Sequence, residues 1–468
     1  MLKQIGIENF KAFAEFQEIN LAPITLIYGA NSSGKSSIIH ALMVLKQSTL
    51  FSNLKSGIYS DKKILDVGSY STMVYSHDIQ KDIKFSLNFN IRGTRSSNLE
   101  RLATSFVYSF DDNDKQGFSY LKNIKFEDKN RRDSFGYTFK NKFNGKDETS
   151  TKNFDLELLE NYKLPMRHES LPKPLLKQIM GVYLYDAEEE FSIPKRIGVD
   201  GRKHMEVWEK LEKEKYNRVL FEIHNFLNDK IRSNSNFIQK ELKKISYLGP
   251  LRSNPKRYYS VDSEFEISVG KEGENIAYFL KSDNENLSKS INEWFKNFSI
   301  PYEFKPQPID SKHSEPLIQI ELTDLRNNVP VSPLDVGFGI GQILPVLVEG
   351  IVRKDSIICV EQPEIHLHPK LQAELAEFFA ETCTNNQWII ETHSEALMLR
   401  IQKLIRSKKL INGKRLKPED VSILYVVPSN MDDEQEGAEV VQIRLDDDGD
   451  FMDYWPEGFF EERIKERR

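Results

Sequence analysis

Gly29-Ala30-Asn31-Ser32-Ser33-Gly34-Lys35-Ser36 has the full form of a phosphate-binding loop, G-x-x-x-x-G-K-[ST]. Its flanks supply the context the motif needs. Ile24-Thr25-Leu26-Ile27-Tyr28 before it has strand character, and Ser37-Ile38-Ile39-His40-Ala41-Leu42-Met43-Val44-Leu45-Lys46-Gln47 after it has helix character. A strand that feeds a glycine-rich loop opening into a helix aims backbone N–H groups and a helix N-terminus at one small volume, where an anion is stabilised. Asn31, Ser32, Ser33, Gly34, Lys35, Ser36 and Ser37 are therefore the candidate nucleotide-binding residues. Lys35 is expected to reach the β and γ phosphates, and the Ser36 hydroxyl to ligate Mg²⁺. The alternative, a Gly/Ser turn that binds nothing, does not account for the strand and helix on either side.

The chain is 468 residues long, enough for two or three domains. A hydrophobic fraction of 39% with 29% charged residues is that of a soluble globular protein. Apolar stretches such as Ser356-Ile357-Ile358-Cys359-Val360 are strand-length, well short of the roughly 20 residues that cross a bilayer. The N-terminus runs straight into the alternating segment Leu2-Lys3-Gln4-Ile5-Gly6-Ile7, unlike a signal peptide. With Cys359 and Cys383 as its 2 cysteines, the chain has no disulfide framework or Cys-rich zinc site, and a cytoplasmic location with no membrane partner is expected. A net charge of −6 argues against a globally cationic nucleic-acid binder but leaves room for a local basic groove.

Taken in order, Leu2 to Glu8 and Asn20 to Tyr28 read as strands. Ile83 to Ile91 alternates with period two and Thr104 to Phe110 follows, predicting a β-meander. From 111 to about 200 the pattern is irregular, with basic clusters at Lys129-Asn130-Arg131-Arg132 and Lys140-Asn141-Lys142 among aromatic residues. These suit a nucleic-acid surface or, more simply, a solvated sheet edge. Residues 203 to 245 read as one or two amphipathic helices. Tyr247-Leu248-Gly249-Pro250-Leu251-Arg252 reads as a strand ending at a Gly-Pro break, its Arg252 free to meet a phosphate, a partner subunit or a surface carboxylate. Helices are expected at Glu274 to Lys281 and Ser288 to Phe298, and a strand at Leu317 to Leu322. Further on, Asp355 to Glu361 and Gln387 to Glu391 are continuous apolar runs with the form of buried parallel strands, each followed by a helix, Lys370 to Thr382 and Glu395 to Lys408. The fold class is α/β, with a mixed or parallel sheet built from both chain ends. The expected division is an N-terminal lobe at 1–110, an inserted module at 111–315 and a C-terminal lobe at 316–468.

Three further stretches accompany the loop: Asp335-Val336-Gly337-Phe338-Gly339-Ile340-Gly341-Gln342, Val360-Glu361-Gln362-Pro363-Glu364-Ile365-His366-Leu367-His368-Pro369, and Ile390-Glu391-Thr392-His393-Ser394-Glu395. In this order the four resemble the ABC-type ATPase heads of the RecF, SMC and overcoming-lysogenization-defect families, over roughly residues 1 to 80 and 330 to 410. The resemblance implies ATP and Mg²⁺ as cofactors. It places Glu361 as the Walker B acid and second metal-site residue, and His393 as the switch histidine contacting the γ phosphate. Ile365 to Pro369 becomes the D-loop, and Phe338 to Gln342 the signature loop, whose Gly339, Gly341 and Gln342 meet the nucleotide of a second copy. An acid at the end of a buried strand beside the P-loop suits that role, and a Gly-rich turn lets backbone N–H groups approach an anion. A metal site of His366, His368 and Glu364 is the competing reading, although the spacing is that of the D-loop.

The chain departs from the family pattern twice. Phe-Gly-Ile-Gly-Gln replaces the usual Leu-Ser-Gly-Gly-Gln, removing a serine hydroxyl. Gln362 stands where a catalytic glutamate is usual, and a glutamine can orient a water but cannot accept its proton. Slow hydrolysis with a long-lived ATP state is therefore expected, with Glu364 or His393 assisting. The closing Tyr454-Trp455-Pro456-Glu457-Gly458-Phe459-Phe460-Glu461-Glu462 resembles a bacterial anti-phage defence subgroup found in PARIS, Septu and retron systems. No TOPRIM nuclease domain is recognisable, and Asp446-Asp447-Asp448-Gly449-Asp450 reads as a solvated turn. The expected partners are a second copy of the chain, an effector nuclease or toxin from the same operon, and DNA or a phage protein as trigger. Two alternatives stand beside this reading: a RecF/SMC-like DNA-binding repair ATPase, and a nucleotide-gated scaffold with little hydrolysis.

Overall fold

The computed structural model describes residues 1–50, 57–92, 99–112, 117–129, 134–141, 153–158, 183–186, 198–199, 215–261, 268–282, 284–309, 317–408, 410–411, 413–429 and 436–456. The chain divides into two units: Met1–Ile19, His40–Lys243 and Met431–Gly437 in the first, Asn20–Ile39, Lys244–Asn430 and Ala438–Arg468 in the second.

Period-two alternation builds the first unit. Ile83–Arg92 pairs antiparallel with Leu99–Asp111, Phe85 opposite Phe106, and so turns one apolar file inward. The sheet does not stop there. It continues antiparallel through Phe118–Lys129, Ser134–Asn141, Asn153–Leu158, Tyr183–Asp186 and Gly198–Val199, while Leu2–Glu8 and then Gln17–Asn20 extend it on the other side, nine strands in all. Phe126 and Tyr137 stack at 5.0 Å, and Phe10 meets the Phe85 ring edge-on at 5.1 Å. Helix Lys215–Lys243 closes the unit, its Phe237 ring 5.4 Å from Phe89. The expected boundary at residue 110 therefore falls inside one continuous sheet. Residues 203–214 and most of the two basic clusters lie outside the described residues.

Continuous apolar strands build the second unit. Its six-stranded sheet runs in the order Ile245–Leu248, Ile357–Glu361, Gln387–Glu391, Ile24–Gly29, Val421–Val427, Glu439–Ile443. The first five are mutually parallel and the last is antiparallel. The four strands from Ile245–Leu248 to Ile24–Gly29 are buried at every position, which explains why they read as unbroken apolar runs rather than alternations. Trp388 packs between Phe378 and Phe379 of helix Pro369–Thr382, with ring centroids at 6.0 and 4.8 Å. Leu317–Asp324 forms a separate small antiparallel sheet with Tyr302–Ile309, Tyr258–Ser260 and Val329–Val331. Helices Ile276–Ser282 and Asn284–Asn297 precede Tyr302–Ile309 in the chain and contribute Leu280, Ile291 and Phe295 to the core of this unit. Residues 244–315, expected in an inserted module, thus belong to the unit that carries the P-loop strand. The fold is α/β with mixed parallel and antiparallel sheets, and its central sheet draws strands from both chain ends.

Candidate nucleotide-binding site

At the C-terminal end of Ile24–Gly29 the chain must leave the sheet abruptly. Gly29 does so at φ +149°, where an added Cβ would lie 2.6 Å from the Val426 carbonyl oxygen. Ser32 and Gly34 also have positive φ, 62° and 102°, and Lys35 then opens the helix Lys35–Leu50. Lys35 is 5% exposed. Its Nζ donates to the carbonyls of Ala30 at 2.7 Å and Gly29 at 3.2 Å, so the ammonium lies back over its own loop. Burial lowers its pKa, and the nearby Glu391 carboxyl opposes that shift. Ser33 Oγ is buried with no hydrogen-bond partner. Asn31 and Ser32 are exposed, Gly34 and Ser36 half-buried, and Ser37 is buried with its N–H on Gly34 O at 3.0 Å.

The acids stand on neighbouring strand ends. Glu361 does not lie on the strand beside the P-loop, as expected. Gln387–Glu391 comes between, because it pairs on one side with Ile357–Glu361 and on the other with Ile24–Gly29. Glu361 is in register with Glu391, and Glu391 with Ile27. Sequence reasoning quoted Glu391 but gave it no role; its position as the last residue of a buried strand was the available signal. Glu391 is 3% exposed and accepts a hydrogen bond from Ser36, while its Oε2 has no partner. Burial first, and then repulsion from Glu361, raises its pKa to about 7, against the lowering pulls of Ser36 and Lys35. Glu361 Oε1 accepts from the Tyr247 hydroxyl at 3.2 Å.

Beyond Glu361 the chain turns sharply. Gln362 is left-handed, φ +45°, and its N–H donates to the Glu391 carbonyl at 2.7 Å. Arg252 is not the surface salt bridge that the sequence also allowed. It is buried, and its Nη2 and Nη1 donate to the carbonyls of Glu361 at 2.8 Å and Gln362 at 3.2 Å. Burial lowers its pKa to about 10, opposed by the charges of Glu364 and Glu361. Glu364 accepts from the His393 N–H at 2.6 Å, and burial raises its pKa. His393 is exposed. Desolvation, followed by repulsion from Lys35, lowers its pKa. Thr392 N–H reaches Ile27 O at 3.1 Å, carrying the strand pairing up to the histidine. Ser394 caps helix Glu395–Ser407, its Oγ accepting from Leu397 N at 3.1 Å.

His368 has a different task from metal binding: it is the N-cap of Pro369–Thr382 and accepts from Lys370 N at 3.3 Å. Among the described residues there is no group of three or more His, Cys, Asp or Glu side chains that could hold a metal.

The glycine-rich segment is not a turn. Gly337 is the N-cap of helix Phe338–Val352, so Gly339 and Gly341 lie within its first turns. A Cβ on Gly341 would meet Pro255 Cγ at 2.4 Å, which makes this glycine a packing requirement, whereas one on Gly339 would meet nothing nearer than His366 O at 3.3 Å. Gln342 is buried, 4% exposed. Alternating glycines look the same in sequence whether they line a loop or thin a helix contact.

From the closing motif, Trp455 packs edge-on against Tyr28 of the P-loop strand at 5.6 Å and against Tyr425 at 5.9 Å. Positions 457–462 lie outside the described residues. Asp446 Oδ1 accepts from Asp448 N and Asp450 N at 2.9 and 2.8 Å, closing a turn that is docked on helix Glu395–Ser407, where Gln402 Nε2 donates to Gly449 O at 2.8 Å and Arg406 Nε to Asp448 O at 3.1 Å.

The loop, its lysine and the hard-oxygen set of Ser36, Glu361 and Glu391 fit a nucleotide phosphate with Mg²⁺, and the unpartnered Ser33 Oγ and Glu391 Oε2 leave polar capacity for it. A family model described as AAA ATPase domain matches residues 1–398. The chain belongs to the AAA ATPase domain family. This AAA ATPase domain protein is thus an ATP-binding ATPase of the P-loop kind. Its residues 416–467 match a second family, described as a protein of unknown function, DUF3696. No curated protein matches the AAA ATPase chain. Among solved structures it is similar to an Smc head bound to the C-winged helix domain of ScpA, at 13% identity and TM-score 0.43, over 95% of this chain and 98% of that one. It is also similar to the SMC head domain from Thermotoga maritima, at 10% and 0.38, over 95% and 99%. A third is the Smc head domain with an extended coiled coil bound to the C-terminal domain of ScpA derived from Pyrococcus furiosus, at 12% and 0.38, over 100% and 99%. No candidate membrane-spanning helix occurs among the described residues.

Proposed function

We propose that this ATPase works as an ABC-type head: it binds Mg·ATP at Asn31 to Ser37, two copies close over the nucleotide, and the closed state controls a separate effector, a nuclease or toxin, in bacterial anti-phage defence. The observation that supports a nucleotide site here is the convergence of Lys35, Ser36, Glu361 and Glu391 from three stretches of chain onto neighbouring parallel strand ends. Lys35 and the loop N–H groups hold the phosphates, Ser36 and Glu361 hold the cation, and His393 stands at the γ end. Mg²⁺ in such a site neutralises charge on the β and γ phosphate oxygens. Gln362 orients the attacking water without taking its proton, so hydrolysis is slow and ATP acts as an assembly signal. Helix Phe338–Val352 offers its N-terminus, with the backbone of Gly339, to the nucleotide of the other copy. Coupling to the effector is then a population shift, driven by a ligand that binds the closed pair better than the open one.

The defence role rests on the resemblance of the closing Tyr454 to Glu462 segment, beside the four motifs that carry the ATPase-head resemblance. It is tested by a pull-down from the native host with and without ATP, parent against Lys35→Ala, followed by mass determination of the complex. ATP-dependent doubling of mass together with a co-purifying nuclease or toxin is expected. A monomer under all conditions overturns the assembly reading. Salt-dependent DNA binding with a steep slope and no effector transfers the chain to the DNA-repair reading.

A further inference from the structure

Arg252 follows the Gly249-Pro250 break at the end of strand Ile245–Leu248 and is turned into the protein rather than out to solvent, 5% exposed. A buried guanidinium is costly unless its charge and donors are matched. Here two carbonyls at which strand Ile357–Glu361 stops take its terminal nitrogens, Glu361 O at 2.8 Å and Gln362 O at 3.2 Å, the charges of Glu364 and Glu361 face it, and its Nε is left without a partner. Gln362 between them has φ +45°, a conformation that a residue with a side chain holds only when its surroundings impose it. Its N–H is tied to Glu391 O at 2.7 Å, so the turn is gripped from both sides. Glu364, whose charge acts on Arg252, accepts the His393 N–H at 2.6 Å and carries the same fixation to the next strand end.

We infer that Arg252 is a positioning residue for ATP hydrolysis, holding the Glu361–Gln362 turn and, through Glu364, the His393 segment in the arrangement in which Gln362 and His393 face the nucleotide. Its terminal nitrogens are engaged by the carbonyls of the turn, so its action is through the turn. A planar fork spans two successive carbonyls, and a lysine, with a single point of charge, cannot reproduce that grip. The inference rests on Glu361 and Gln362 belonging to the nucleotide site.

Arg252→Lys and Arg252→Ala are compared with the parent, with Lys35→Ala and Glu361→Gln as controls on the site. Four quantities are measured: melting temperature, affinity for a fluorescent ATP analogue with Mg²⁺, the single-turnover rate of phosphate release, and amide hydrogen exchange in the nucleotide-free protein. Arg252→Lys is expected to keep nucleotide affinity within twofold and to lose at least tenfold in rate. Exchange at residues 361–366 and 392–394 should rise at least tenfold, while the helix after the P-loop stays protected. Added guanidinium should restore part of the rate of Arg252→Ala. If Arg252→Ala does not fold, Arg252→Lys decides alone. Parental rate and exchange in Arg252→Lys overturn the inference, as does an equal loss of affinity and rate accompanied by global loosening. Unchanged turnover in both control variants overturns the site reading itself, and the inference falls with it.

Discussion

Glu361 and Glu391 end neighbouring parallel strands directly opposite each other, so two carboxyl groups meet at one edge of the sheet. They cannot both be charged there without cost, and Glu391, buried and unpartnered at Oε2, carries it. Its proton leaves at about 7 in the folded protein against an ordinary 4.5. Between those values the folded form holds a proton that the unfolded chain has released, so stability falls as pH rises through this window and stays low above it. The loss is on the order of 3 kcal/mol. Urea unfolding of the nucleotide-free, Mg²⁺-free protein at pH 5 and pH 8 should show it, and Glu391→Gln should flatten the difference.

Lys35 is the cation proposed to hold the phosphates, and its Nζ donates to the carbonyls of Gly29 and Ala30. Lys35→Ala should reduce phosphate release by about a hundredfold or more, the scale of losing one preorganised charged donor. Its fold should persist, since the helix and strand on either side of the loop keep their own backbone pairing. Isothermal titration with Mg·ATP, alongside circular dichroism, separates lost binding from lost structure.

Gln362 is already held at the end of the Glu361 strand, by Arg252 on its carbonyl and by the Glu391 carbonyl on its N–H. Gln362→Glu supplies a proton acceptor at the same place, and turnover should rise about tenfold or more, within the usual range for general bases. A rate no higher than the parent's would remove the idea that glutamine slows this enzyme.

Trp455 touches Tyr28 and Tyr425, although most of the chain lies between it and the P-loop strand. Trp455→Ala should cost about 3–5 kcal/mol, the usual range for emptying a buried aromatic site. The thermal midpoint reports that loss, and ATP affinity reports whether the P-loop strand moves with it.

What could be read from sequence was whatever one stretch of chain states on its own. The P-loop was legible because strand, glycines, lysine and helix are contiguous. Ile357–Glu361 and Gln387–Glu391 were legible because a strand buried on both faces must be apolar throughout. Their order was not, since no local pattern states that Gln387–Glu391 comes between Glu361 and the loop; crossover connections decide that. Arg252 failed for a related reason, because a charged side chain after a turn looks the same whether it faces solvent or two buried carbonyls. The packing of Gly341 against Pro255 was not legible, because a glycine that admits Pro255 against a helix resembles one that admits a phosphate. The nine-stranded sheet ran past residue 110 without a clean alternation to announce it.

The strand Ile24–Gly29 is seated between Gln387–Glu391 and Val421–Val427, both from the far end of the chain. During synthesis the nucleotide loop therefore emerges first and waits for its neighbours until nearly everything else has been made. A ribosome that stalls or a chain cut before residue 387 leaves a strand with both edges open and no Glu361–Glu391 edge to face it, so a partial product cannot answer to ATP. Pairing over such separations is slow to form. For a molecule whose proposed task is to control a harmful partner, that delay ties competence to completion of the polypeptide.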